Sequence, residues 1–127
     1  MKRTLFLVRH AKSSRDDVTL PDKERPLADR GKRDAPMMGK RLAKRQVKPD
    51  LILSSPARRA LSTAGIIAKE LNYRAEDIVV DERLYATDAD MLLDVIGELS
   101  DKLKCVMLFG HNPEFADLAQ RLSNEPA

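Results

Sequence analysis

Residues 4–10 read Thr4-Leu5-Phe6-Leu7-Val8-Arg9-His10, an apolar run without polar alternation, closed by a cation and an imidazole. A short continuous apolar run suits a strand buried on both faces of a parallel sheet. Three further runs share this character: Asp50 to Leu53, Ile78 to Val80 and Cys105 to Phe109. The stretches between them carry helical spacing. Residues 29–45 place Ala35, Met38, Leu42 and Ala43 on one stripe, and Pro36 predicts a kink there or a later start capped by Asp34. Ser55 reads as the N-cap of a second helix with Pro56 in its first turn, striped by Leu61, Ala64, Ile67, Ala68 and Leu71. A third helix is expected from Asp88 to Leu99, with Leu92, Leu93 and Ile96 inward. A fourth begins at Asn112 and Pro113 and carries Phe115, Leu118, Ala119 and Leu122. Strand and helix in alternation predict an α/β domain of three α/β/α layers, its mostly parallel sheet flanked by helices. Only residues 11–28 break the rhythm. That segment is long and polar and holds Pro21 and Pro26, and a loop of such length in a compact domain usually serves function.

The chain's 127 residues suffice for one domain, 1–127, and leave no room for a second core. Apolar residues at 43% and charged residues at 34% exclude a disordered tail or a fibrous repeat. The single cysteine, Cys105, excludes an internal disulfide, points to a reducing compartment, and sits in a predicted strand as a small core residue. No apolar run is long enough to span a bilayer or to serve as a secretory signal, so the expected location is cytoplasmic. The net charge of +3 is scattered, and the lysines and arginines around Lys40 read as the wet face of a helix. With three Phe, two Tyr and no Trp there is little to stack bases on. Neither a nucleic-acid nor a membrane partner is expected, and a monomer is.

In an open parallel sheet, ligands bind beyond the carboxyl ends of the strands. After the first strand come Arg9 and His10; after the second come Ser54, Ser55 and Pro56, then Arg58 and Arg59. The third ends in Asp81, Glu82 and Arg83, and the fourth in Gly110, His111, Asn112 and Pro113. Both histidines of the chain thus fall at strand ends. Arg9 and Arg59 offer forked, permanent charges matched to phosphate oxygens, and a helix starting at Pro113 would add amide hydrogens beside His111. A neutral His10 can give a lone pair to phosphorus, and neighbouring arginines should hold its pKa down. Glu82 is the nearest candidate for a general acid. Singly, a strand-end histidine is an ordinary surface group, Ser-Ser-Pro an ordinary cap, and Asp-Glu-Arg a solvated cluster; together they describe a site for a tetrahedral dianion. No nucleotide-binding glycine loop, serine nucleophile elbow or zinc-ligand spacing occurs, and arginines can supply the positive charge, so neither cofactor nor metal is expected.

These residues resemble the histidine phosphatase superfamily, in particular its small SixA-type branch of phosphohistidine phosphatases. Leu7-Val8-Arg9-His10-Ala11-Lys12-Ser13-Ser14 resembles the opening motif, and Arg25-Pro26-Leu27 followed by Arg30-Gly31-Lys32-Arg33-Asp34-Ala35-Pro36 resembles its continuation. Ser54-Ser55-Pro56-Ala57-Arg58-Arg59-Ala60 and Gly110-His111-Asn112-Pro113 are similar to the later motifs. The resemblance implies His10 as phosphoryl acceptor, with Arg9, Arg59 and His111 on the phosphoryl group and Ser13 and Asn112 as further substrate contacts. It favours Arg59 over Arg58, because the family's arginine directly precedes the alanine matched by Ala60. Glu82 corresponds to the proton donor of phosphoglycerate-mutase-like relatives. Ala11 and Lys12 stand where mutases usually carry Gly and Glu, which argues against a mutase. Relatives also continue past the last helix into another strand, whereas this sequence ends at Pro126 and Ala127: either the chain is truncated or its sheet keeps an exposed edge.

The expected activity is hydrolysis through a phosphohistidine intermediate on His10. The preferred substrate is phosphohistidine on a protein, such as a histidine-phosphorylated domain or phosphocarrier, since no insertion builds a lid over a metabolite. The alternatives are a phosphatase of small phosphorylated metabolites and a phosphate or phosphoprotein binding module without turnover.

Overall fold

The computed structural model describes residues 3–124. Four strands, β1 (Thr4–Arg9), β2 (Leu51–Ser54), β3 (Val79–Val80) and β4 (Cys105–Gly110), pair in parallel in the order β1-β4-β2-β3. Helices α1 (Asp29–Lys44) and α2 (Arg58–Glu70) cover one face, and α3 (Ala89–Gly97) and α4 (Glu114–Asn124) the other. The predicted three-layer architecture is the observed one.

Side-chain alternation divides the core. On β4, Val106 and Leu108 join Leu92, Val95 and Leu118 below the sheet, while Met107 and Phe109 join Ile67 and Ala68 above it. All four β4 side chains are fully buried, each contributing about 1.5–3 kcal/mol relative to exposure. Burial on both faces therefore holds at the centre. It fails at the edges: Val79 and Val80 of β3 are 46% and 48% exposed, and β1 is half-buried because β4 is its only strand neighbour among the described residues. Residues 125–127, on which the question of a further strand turns, lie outside the described residues. Among those described, no helix is long and apolar enough to cross a membrane.

One helix start matches the expected range and one differs. Helix α1 begins at Asp29, as the 29–45 stripe predicts, not at the alternative Asp34, and takes Pro36 into its interior. Its first turn is held by tertiary contact instead of a side-chain cap. The Ala28 amide donates to the Lys12 carbonyl at 2.8 Å, and the Ser14 amide to the Pro26 carbonyl at 2.8 Å. Gly31 permits this approach, since a Cβ there would stand 2.2 Å from the Lys12 oxygen. Residues 12–14 and 26–31 thereby form a closed clamp, pinned by a bridge between Ser13 and Leu27. Helix α2 starts at Arg58 with Ala57, not Ser55, at its N-cap. Ser55 acts two residues earlier, its hydroxyl accepting from the Ala57 amide at 3.1 Å.

Candidate active site

The sheet sets the spacing of the two histidines. Arg9 on β1 is level with Gly110 on β4, and the ladder continues one residue further, the His10 amide donating to the Gly110 carbonyl at 3.1 Å. The Ser55 amide likewise donates to the Phe109 carbonyl at 2.9 Å. Adjacent strands lie roughly 4.8 Å apart, so residues that leave them side by side arrive as neighbours. The rings of His10 and His111 are 5.2 Å apart, centroid to centroid.

These side chains open into a cleft of about 530 Å³, lined on this floor by Arg9, His10, Arg59, His111 and Asn112. The long polar loop supplies the wall, through Ser13, Arg15, Asp22 and Arg25. That assignment was legible only as a segment that broke the alternation. Arg59 lines the cleft, whereas Arg58 lies in a separate groove beside Leu61 and Ile66.

His10 has a defined tautomer. Its Nδ1 stands 2.7 Å from the Ala11 carbonyl, which can only accept, so Nδ1 carries the proton and Nε2 the lone pair. Its pKa lies below the ordinary histidine value. Burial is the leading cause, with Arg59, Arg9 and Arg25 adding to it and the Ala11 hydrogen bond opposing. The neighbouring arginines lower the value as expected, and desolvation, which the sequence could not show, leads them.

His111 is more deeply set, with a pKa pushed down to about 4 by burial first, then by Arg59 and His10. Its Nε2 meets the Ser55 hydroxyl at 2.8 Å. Its Nδ1 is the one buried side-chain nitrogen or oxygen among the described residues without a hydrogen-bond partner. When the Ser55 hydroxyl donates to Nε2 of this neutral ring, Nδ1 carries the single proton and, open beside a cationic cleft, is suited to donate it to an oxyanion. The edge of Tyr85 packs against the same ring at 5.6 Å between centroids.

Asp22, absent from the sequence-based candidates, organises the cations. Arg59 donates through Nη1 to the Asp22 carbonyl at 2.7 Å and through Nη2 to its carboxylate at 2.8 Å. Arg25 Nη1 donates to the other carboxylate oxygen at 2.9 Å, and the Tyr85 hydroxyl to the first at 2.6 Å. Tyr85 first, with Arg59 and Arg25, holds the Asp22 carboxyl far below the usual carboxylate range against an opposing burial effect second in size only to the Tyr85 bond. Arg25 also reaches the Ser13 hydroxyl at 2.5 Å and the Ser14 carbonyl at 3.1 Å. Ser13 therefore faces the cleft as a partner of Arg25.

One candidate, Glu82, is placed differently from the sequence reading. Glu82 lies on a 3-10 turn, Glu82–Leu84, outside the residues lining the cleft; its side chain is 74% exposed and pairs with Lys23 at 3.7 Å. Asp81 turns the chain there by accepting from the Arg83 amide, and Arg83 bridges Asp81 and Glu98, so the following Tyr85 enters the site instead. Asn112 lines the cleft, but its carbonyl oxygen accepts from the Ala116 amide at 3.1 Å, and the His111 carbonyl takes the Phe115 amide. Those α4 amides are thereby engaged within the chain rather than offered to an anion. Among the described residues no group of three or more His, Cys, Asp or Glu is arranged to hold a metal ion.

A family model described as histidine phosphatase superfamily, branch 1, matches residues 5–91. A crystal structure from Agrobacterium tumefaciens, provisionally described as the phosphohistidine phosphatase SixA, superposes with a TM-score of 0.89 at 30% identity, covering 98% of this chain and 79% of that one. An uncharacterised chloroplastic protein of Arabidopsis thaliana is 30% identical over 97% of this chain, and an uncharacterised protein of Mycobacterium tuberculosis is 32% identical over 88%. The chain spans 60% and 67% of the lengths of these two relatives. With strand-end histidines facing one arginine-lined cleft in the fold of that structural neighbour, this chain belongs to the histidine phosphatase superfamily.

Proposed function

We propose that the chain is a phosphatase that removes the phosphoryl group from protein phosphohistidine by way of a covalent intermediate on His10. The observation that carries this reading is the tautomer of His10: Nδ1 donates to Ala11, so Nε2 presents a lone pair in a cleft that holds Arg9, Arg59 and His111. Nε2 attacks phosphorus, the bond to the departing imidazole breaks, and the three phosphoryl oxygens face the guanidiniums and the open Nδ1 of His111. The leaving imidazole, protonated on its other ring nitrogen, departs neutral. Water then adds to phosphorus, its proton passing to the released phosphate or solvent. His10 departs neutral in turn, because its Nδ1 has kept its proton on Ala11.

The acids support the same substrate class. Asp22 and Asp34 are the carboxylates lining the cleft, and Asp22 is held ionised by Tyr85, Arg59 and Arg25. An ionised carboxylate cannot protonate an alkoxide, whereas an imidazole leaving group does not need it to. A second reading, a phosphatase of small phosphomonoesters, is favoured by the cleft's volume of about 530 Å³, which would admit a metabolite.

Mixing the protein with a ³²P-phosphohistidine phosphocarrier and quenching in denaturing alkali should trap label on His10, and His10→Ala should trap none and turn over nothing. Turnover by His10→Ala at the wild-type rate would refute the mechanism. Faster hydrolysis of a sugar phosphate than of the phosphocarrier would transfer the assignment to the second reading.

A further inference from the structure

We propose that the outer rim of the cleft, Lys12, Arg15 and Arg30, is a docking site for acidic side chains flanking the phosphorylated residue of a protein substrate; this deepens, and rests on, the phosphoprotein reading above. The distribution of charge carries it. Six of the chain's 23 lysines and arginines line the cleft, namely Arg9, Lys12, Arg15, Arg25, Arg30 and Arg59, against only two of its 20 acids, Asp22 and Asp34. The cleft lining is therefore net +4 within a chain of net +3, leaving the remainder net −1. A phosphoryl dianion neutralises two of those charges, and two remain.

The surplus sits at the mouth. Arg59 and Arg25 share Asp22, and Arg9 adjoins the nucleophile. Lys12 and Arg15 form no ion pair among the described residues, and Arg30 has only a long exposed contact to Asp34 at 3.5 Å. All three are exposed, so each charge alone is screened and weak. Gathered along one concave wall they act as a field rather than as separate pairs.

Their mounting is firm. Lys12 lies two residues from His10, and its carbonyl is fixed by the Ala28 amide at 2.8 Å. Arg30 follows on the opposite arm of the same clamp, next to Gly31, where the two arms touch. The rim thus holds a constant offset from the phosphoryl site, as recognition of flanking residues requires.

The test measures binding to the His10→Ala variant, which holds ligand without turnover. Two fluorescent peptides carry a stable triazole analogue of phosphohistidine, one flanked by Glu and the other by Gln at the same positions. At low ionic strength the Glu peptide should bind about fivefold tighter. Adding Lys12→Gln and Arg15→Gln should reduce that preference to below twofold. Equal affinity for the two peptides, or a preference that survives both substitutions, would overturn the docking site. If the His10→Ala protein prefers the Glu peptide while wild-type enzyme hydrolyses neither genuine phosphohistidine peptide, the phosphohistidine-phosphatase reading fails and the rim assignment stands.

Discussion

His111 makes the stability of the fold depend on pH in a calculable way. Its unfolded value of 6.5 falls to about 4 in the folded protein. Between those values the unfolded chain binds a proton that the native state refuses, so unfolding takes up protons and stability rises with pH. The penalty is absent above the unfolded value, grows as pH falls through it, and levels off below the folded value. At about pH 5 the imidazole is nearly all protonated when unfolded and about one-tenth protonated when folded, which costs the native state about 2 kcal/mol relative to pH 7. With a urea dependence of roughly 2 kcal/mol per molar, the unfolding midpoint should drop by about 1 M. His10, shifted in the same direction, adds to the drop. The control is His111→Asn, which removes this proton site and leaves His10 in place, so its midpoint should move with pH less than wild type by about 1 M. The comparison is of slopes, so any constant destabilisation by the substitution cancels. Identical pH dependence in the two proteins would show that His111 is not held neutral in the fold, and would refute burial as the control on its charge.

Three further outcomes follow from the same contacts. Ser55→Ala removes the hydrogen-bond partner of His111 Nε2 and the acceptor for the Ala57 amide, and should cost about 1–2 kcal/mol in urea unfolding together with phosphatase rate; an unchanged midpoint would refute the pairing. Asp22→Asn withdraws the carboxylate that serves Arg59, Arg25 and Tyr85, and because Asp22 is 50% exposed the loss should be limited to about 1–2 kcal/mol. Its carboxyl pKa is depressed on folding, so that deficit should be constant from neutral pH down to the ordinary carboxylate value and shrink only below it; a deficit that already vanishes by pH 6 would contradict the assignment. Gly31→Ala places a methyl 2.2 Å from the Lys12 carbonyl oxygen, backbone that cannot swing aside, and should cost about 2 kcal/mol or more and reduce turnover; wild-type values of both would show that the clamp is not what holds the segment after His10.

The division between what the sequence discloses and what it withholds follows the division between sheet and loop. His10 and His111 were legible because each directly follows an apolar run, and in a parallel sheet the residue after a strand has only one end of the domain to occupy. Ser55 was legible in place but not in role: a cap signal reports a turn, and only the neighbouring strand reveals that the hydroxyl meets an imidazole 56 residues away. Glu82 sits after a strand as well, yet β3 is a two-residue edge strand, and the turn that follows directs its side chain to Lys23. Asp22 lay outside any period. Its placement depends on a 3-10 turn whose partners are 3, 37 and 63 residues distant, and no local pattern encodes such an arrangement. Resemblance could mark Arg59 against Arg58, but not that its guanidinium is delivered to the cleft already paired. That pairing changes the chemistry expected of the site. An Arg59 free of Asp22 would be the stronger phosphate ligand, whereas the paired one holds its orientation at the cost of part of its charge. The acid in the pair is the one carboxylate on the cleft wall bound to both arginines, and it is kept from carrying a proton. The loop therefore fixes the orientation of the cations, while the sheet sets the spacing of the two imidazoles.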